Sequence, residues 1–383
     1  MRPARPGTGN PAPADRVTAV EVFFDLVFVF TLTQLTRVLE EDLSPDGLGR
    51  VLLLFGILWW MFDGYVWLAN HVPPRVPAQK LLLFVGMVGF LLAAVAVPDA
   101  FDGTGLLFGV GYLLVITVHL LLFTRADIGP ALARLAGYNL GSTLLVVVGG
   151  SVDGVARYAC WLAALALQSV VPYLVPRFSW VRVLPAFRLQ PGHFVERHGL
   201  LVIIALGESV VAIGMGVDTN HLAVGLVAVI ALALALPAAL WWTYFTDTPA
   251  EEVRLAATGT ERARLALRLG FAHVPLLLGI VVAAAGIHAA VAHPGQPADR
   301  GSALALAGGV ALYLAGIVAL RRSLHAAPVL SRLVTGAAVL ATIPVGTRLN
   351  AGVQLSAVVL VLVVMLVVDR RRHAMATEAP PGR

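Results

Sequence analysis

The chain has 383 residues, of which 58% are hydrophobic and only 13% charged, with a formal net charge of +5. So little charge lies outside the range of soluble domains and marks a polytopic membrane protein. A single cysteine, Cys160, excludes an intramolecular disulfide and leaves a thiolate metal site without ligands.

Residues 1–16 are rich in Pro and Gly, have no apolar core or cleavage pattern, and read as a disordered cytoplasmic arm. A window of about 20 residues then predicts twelve spans, near 17–39, 50–70, 79–98, 104–124, 131–150, 154–175, 194–216, 222–246, 265–290, 302–320, 329–347 and 350–368. The expected fold is an all-α integral membrane protein in two parallel six-helix halves, 17–175 and 194–369. A cytoplasmic linker, 176–193, joins the halves, and a basic cytoplasmic tail, 370–383, follows them.

The first span, "VEVFFDLVFVFTLTQLT" (20–36), carries Glu21 and Asp25 near its start and Thr33 and Gln34 deeper. The two carboxylates are four residues apart and share a helix face. Glu21 can reach the interface as a helix-end anchor, whereas Asp25, with a shorter stem, has to be neutral or paired. In the second span, "WWMFDGYVWLANH" (59–71), Asp63 lies at a similar depth to Asp25 and Asn70 follows near the inner end. Asp25 and Asp63 are therefore expected to share a proton or to form a cation site with Asn70, the alternative being that each bonds a neighbouring hydroxyl or amide.

The seventh span begins with Glu196, Arg197 and His198 at the cytoplasmic end and carries Glu208 and Ser209 about three turns deeper. An ionisable residue within a span is by default a functional candidate. The pattern "HFVERH" (193–198) reads as an interfacial cap, and no metal site or cofactor is expected. His119 and His273, alone on their spans, read as packing histidines. No phosphate loop, zinc-protease or lipase motif occurs.

Of the 27 Lys and Arg, only Arg37, Arg50, Arg157, Arg300 and Arg348 fall on the side opposite the amino terminus. The positive-inside rule then puts both termini in the cytoplasm, and the basic balance reflects anionic lipid rather than nucleic acid. The halves also echo each other. "VEVFFDLVFVFTLTQL" (20–35) aligns without a gap on "VERHGLLVIIALGESV" (195–210), placing Thr33 over Glu208, and "LWWMF" (58–62) echoes "LWWTY" (240–244) with seven extra residues in the second half, the alternative being chance similarity between apolar helices.

Together "VEVFFDLVFVFTLTQLT", "LWWMFDGYVWLANHVPP", "VPDAFDGTGLLFGVGYL" and "ERHGLLVIIALGESVVAIG" resemble the bacterial low temperature requirement A (LtrA) family, from about residue 18 to 370. The resemblance implies an integral protein of the bacterial inner membrane linked by name to growth in the cold, and brings no substrate. The residues point to a proton- or cation-coupled secondary transporter of an unknown small molecule or ion, with Glu21, Asp25, Asp63 and Glu208 as coupling carboxylates. Thr33, Gln34, Asn70, Glu196, Arg197, His198 and Ser209 are the expected supporting polar groups. The alternative is a membrane enzyme or sensor whose cytoplasm-facing pocket takes a lipid or polar head group.

The orientation is testable by cysteine labelling in intact cells after Cys160 is replaced. An impermeant reagent should react at residue 297 and not at residue 6; the reverse pattern overturns the orientation.

Overall fold

The computed structural model describes residues 17–125, 130–171, 189–217, 224–247, 259–324 and 329–378. The expected amino-terminal arm, most of the 176–193 linker and the last five residues of the basic tail lie outside them. The described residues are all-helical, with turns but no strand. In chain order the helices are α1 (Ala19–Glu41), α2 (Pro45–His71), α3 (Pro77–Ala96), α4 (Gly105–Phe123), α5 (Pro130–Gly150) and α6 (Gly154–Ser169). They continue as α7 (Pro191–Gly216), α8 (Val224–Asp247), α9 (Gly259–Ala292), α10 (Arg300–Ser323), α11 (Leu330–Leu340), α12 (Ile343–Arg348) and α13 (Ala351–Glu378).

Ten helical segments among the described residues are long and apolar enough to cross a membrane, against the twelve expected. The fifth and sixth expected spans are helical as α5 and α6 but are not among the ten. Helix α6 has 16 residues, about 24 Å at 1.5 Å per residue, short of a hydrocarbon core of about 30 Å. Helix α5 is diluted by Arg134, Asn139, Ser142 and Thr143. The eleventh span is broken into α11 and α12 at Ala341 and Thr342. Pro344, at the start of α12, supplies no amide hydrogen for the preceding turn and fits only where a helix begins.

Apolar side chains cover the outside of the bundle as well as its core. Leu81, Leu144 and Leu360 are each more than 60% exposed, which suits contact with lipid and not with water. Inside, two helix pairs cross closely enough to exclude side chains. A Cβ on Gly111 of α4 would stand 2.6 Å from the backbone nitrogen of Ala93 in α3, and a Cβ on Gly309 of α10 would stand 2.3 Å from that of Ala283 in α9. Small residues let backbones approach, and van der Waals contact then holds helices together where lipid removes the hydrophobic drive.

Buried polar groups tie further elements. Tyr65 of α2 donates to the Val115 carbonyl of α4 at 2.8 Å, and Tyr313 of α10 donates to the Leu240 carbonyl of α8 at 2.8 Å. Gln168 of α6 reaches the hydroxyls of Tyr112 and Ser142, both at 2.5 Å. Arg332 pairs with Asp369, joining α11 to α13. At the pole opposite the start of α1, Asp299 caps α10 by accepting from the Ser302 amide at 3.0 Å. Helix α1 packs against α2, α3, α7 and α9, so its buried face is shared by the amino- and carboxy-terminal parts of the chain.

Replacing Gly309 with Leu should lower unfolding stability in detergent by about 1–3 kcal/mol, the usual cost of overpacking. Gly308→Leu, where a Cβ meets nothing within 4 Å, should stay within about 0.5 kcal/mol. Equal melting of the two variants would show that the α9–α10 crossing is not constrained.

A buried charge cluster between α1, α2 and α7

Helix α1 opens with Thr18, whose backbone amide and hydroxyl both donate to Glu21 Oε2, at 2.8 and 2.6 Å. This holds the Glu21 side chain in the first turn, with Asp25 one turn further on. Both are buried, Glu21 at 1% and Asp25 at 0% exposure. The facing surface of α7 carries its own four-residue pair, His193 and Arg197, also buried. The two pairs meet side by side. His193 Nε2 lies 2.9 Å from Glu21 Oε1, and Arg197 reaches Asp25 Oδ1 through Nη2 at 3.0 Å and Nε at 3.1 Å. Arg197 Nη1 is 3.6 Å from Glu21 Oε1 and 3.4 Å from the Tyr65 carbonyl. The guanidinium also lies over the rings of Phe24 and Phe62, at 5.6 and 5.8 Å, an arrangement that stabilises a desolvated cation.

Helix α2 closes the cluster. The Asn70 amide pairs with the backbone of Gln190, accepting from its N–H at 2.7 Å and donating to its carbonyl at 2.9 Å. These bonds orient the amide, so the Nδ2 group that lies 3.2 Å from His193 Nδ1 is a donor. His193 Nδ1 is therefore the acceptor, and its proton sits on Nε2, toward Glu21.

The expected Asp25–Asp63 pair does not form: Arg197 takes Asp25, and Asp63 faces His198 instead, with Oδ1 3.7 Å from Nε2. The reason is that α7 packs beside α1 and brings a guanidinium to a carboxylate that would otherwise be buried without a partner. His198 Nδ1 bonds the Phe194 carbonyl at 2.9 Å, which makes Nδ1 the donor and leaves Nε2 of the neutral ring as an acceptor. With the ring neutral, two acceptors face each other, and neither has a hydrogen-bond partner among the described residues. The His198 ring lies 4.6 Å from that of His273, whose Nε2 is 2.9 Å from the Tyr244 hydroxyl.

The other expected site residues are dispersed. Glu208 accepts from the Thr33 hydroxyl at 2.6 Å, eleven residues or about 16 Å along α7 from Arg197. Gln34 and Ser209 are buried nearby, and the Ser209 hydroxyl has no hydrogen-bond partner among the described residues. Glu196 is exposed; it accepts only a peripheral bond from the Val17 amide at 3.3 Å. His193 is the member that sequence reasoning passed over as part of a cap. Its signal was available in the matched spacing, acids at 21 and 25 and bases at 193 and 197.

Residues 16–367 match the family described as bacterial low temperature requirement A protein, a span that holds every residue of the cluster. The chain is also 31% identical over 314 residues to an uncharacterized protein of Rhizobium meliloti (strain 1021), covering 79% of this chain and 76% of that one. The four sequence blocks quoted above all fall within the matched span, and the chain belongs to the bacterial low temperature requirement A protein family.

Proposed function

We propose that the protein is a proton-coupled secondary transporter of the bacterial cell membrane, built as two parallel six-helix halves that move against each other along the α1–α7 seam. The observation that carries this reading is the position of His193 at the start of α7, with Nε2 2.9 Å from Glu21 Oε1 of α1 and Nδ1 3.2 Å from Asn70 Nδ2 of α2. Histidine is the side chain that ordinarily changes charge near neutral pH. A proton arriving at Nδ1 would face the Asn70 amide donor-to-donor and push it away. The same proton balances the cluster, since two ionised carboxylates and one guanidinium leave a net charge of minus one without it. Proton uptake therefore favours the charge cluster while loosening α2 from the start of α7.

The Asp63–His198 pair offers a second acceptor site, because one proton placed between them converts the contact into a charge-assisted hydrogen bond. Groups facing this pair are His273 across the ring contact and the Gly270 backbone of α9; groups facing His193 are Glu21, Arg197 and Asn70. Glu208 and Thr33, at aligned positions of the two halves, touch across α1 and α7, as equivalent residues do beside a two-fold axis. The Gly111 crossing of α3 and α4 and the Gly309 crossing of α9 and α10 are further supports for parallel halves.

A second reading, an enzyme or sensor for a lipid head group, draws on a different feature. A cleft of about 1180 Å³ is lined by Trp242, Arg332, Asp369 and Arg370 with Val363 and Leu366. Arg370, beside the paired Arg332 and Asp369 and above an apolar wall, is the chemistry of an anionic lipid site.

Proteoliposomes enclosing a pH-sensitive dye, given gradients of inorganic and organic cations, separate the readings. The transporter should move protons against at least one gradient, and His193→Gln should slow the flux at least about tenfold while eluting as the wild type does. Flux indifferent to His193→Gln, or no flux under any gradient, would falsify the coupled-transport reading.

Asp25→Asn should destabilise the protein by about 3–5 kcal/mol, because it strands a buried guanidinium. The double variant Asp25→Leu with Arg197→Met should recover much of the melting temperature but none of the flux. Recovery of both would reduce the pair to a packing element.

A further inference from the structure

Beside the charge cluster lies a cleft of about 540 Å³ between α2, α4, α5 and α9, lined among others by Trp60, Asp63, Trp67, Phe123, Asn139 and Phe271. The Asp63 side chain is 18% exposed. Its Oδ1 is buried and lacks a hydrogen-bond partner among the described residues, so the carboxylate spans the wall between the cleft and His198. Among the described residues no lysine or arginine lines the cleft. Polar groups of the lining are tied to one another: the Trp60 indole donates to Asn139 Oδ1 at 3.1 Å, and Asn139 Nδ2 lies 3.5 Å from His119 Nδ1.

A carboxylate in a cleft without basic residues selects for positive charge. An inorganic cation requires several oxygen ligands at about 2.0–2.6 Å, whereas the described lining offers one carboxylate and the Asn139 amide oxygen, already engaged by Trp60, amid aromatic rings. Tryptophan and phenylalanine instead attract alkylated ammonium groups through the negative face of the ring while burying their apolar surface. We propose that this cleft binds an organic cation, an amine or quaternary ammonium compound, whose charged nitrogen pairs with Asp63 against the aromatic wall. The assignment deepens the transport reading above, since it names the substrate class. It also supplies a route for exchange: the organic cation and the proton between Asp63 and His198 neutralise the same carboxylate, so each displaces the other.

The test uses the purified full-length chain in detergent with benzyltrimethylammonium as the probe, followed by intrinsic tryptophan fluorescence. Saturable quenching is expected, with affinity reduced at least about tenfold, or about 1.4 kcal/mol, by Asp63→Asn. Glu41→Gln, which alters an exposed pair with Arg37, should bind as the wild type does. Because Asp63→Asn has a folding risk, a second measurement uses the unaltered protein. The probe should protect Asp63 from dicyclohexylcarbodiimide at least about fivefold, read by peptide mass spectrometry, while leaving Glu208 labelling unchanged. Absence of saturable quenching, quenching indifferent to a folded Asp63→Asn, or failure to protect Asp63 overturns the assignment. Binding is measured without a gradient, so loss of proton flux with intact binding removes the transport reading alone.

Discussion

A guanidinium buried inside a membrane bundle sets the terms for everything around it. Arg197 is 1% exposed and cannot shed its proton, so its charge has to be met by neighbouring protein groups. It is tolerated only because Asp25, Glu21, the Tyr65 carbonyl and two phenylalanine faces converge on it from α1 and α2. Those groups belong to the first part of the chain and the guanidinium to the second. Satisfying Arg197 therefore fixes how α7 sits against α1 and α2.

The rest of the bundle contrasts with this seam. The α3–α4 and α9–α10 pairs meet backbone to backbone, where a single added Cβ collides, and such packing has no alternative arrangement at low cost. The α1–α7 seam is polar along its length, from Glu21 and His193 through Asp25 and Arg197 to Thr33 and Glu208. Several buried atoms in or beside it lack hydrogen-bond partners among the described residues, including Asp63 Oδ1 of α2, His198 Nε2 and Ser209 Oγ. Unsatisfied polar atoms in a dry interior raise the energy of the arrangement that contains them. Under the transport reading proposed above, a proton or a ligand at those atoms would relieve that cost in a second arrangement.

The sequence by itself determined the membrane class, the positions of most helices and the shared face of Glu21 and Asp25. Those properties follow from composition, from the 1.5 Å rise and from the 3.6-residue repeat, all of which are local. The family blocks were equally legible, because they are contiguous. Where a helix is diluted by polar residues, as α5 is by Asn139 and Ser142, hydropathy assigned a crossing that is not among the ten segments, whereas residues 330–348, broken around Pro344, remain one of them.

Partner choice was decided only by the tertiary structure. Asp25 had two acceptable solutions in sequence, a second carboxylate at the same depth or a cation from elsewhere, and helical periodicity does not distinguish them. The answer came from Arg197, 172 residues away, because α7 packs against α1 and leaves Asp63 turned toward His198. The orientation of the Asn70 amide, and with it the tautomer of His193, likewise depends on Gln190 lying beside the end of α2. Distances of this kind arise from helix packing across the whole chain, and no local pattern encodes them.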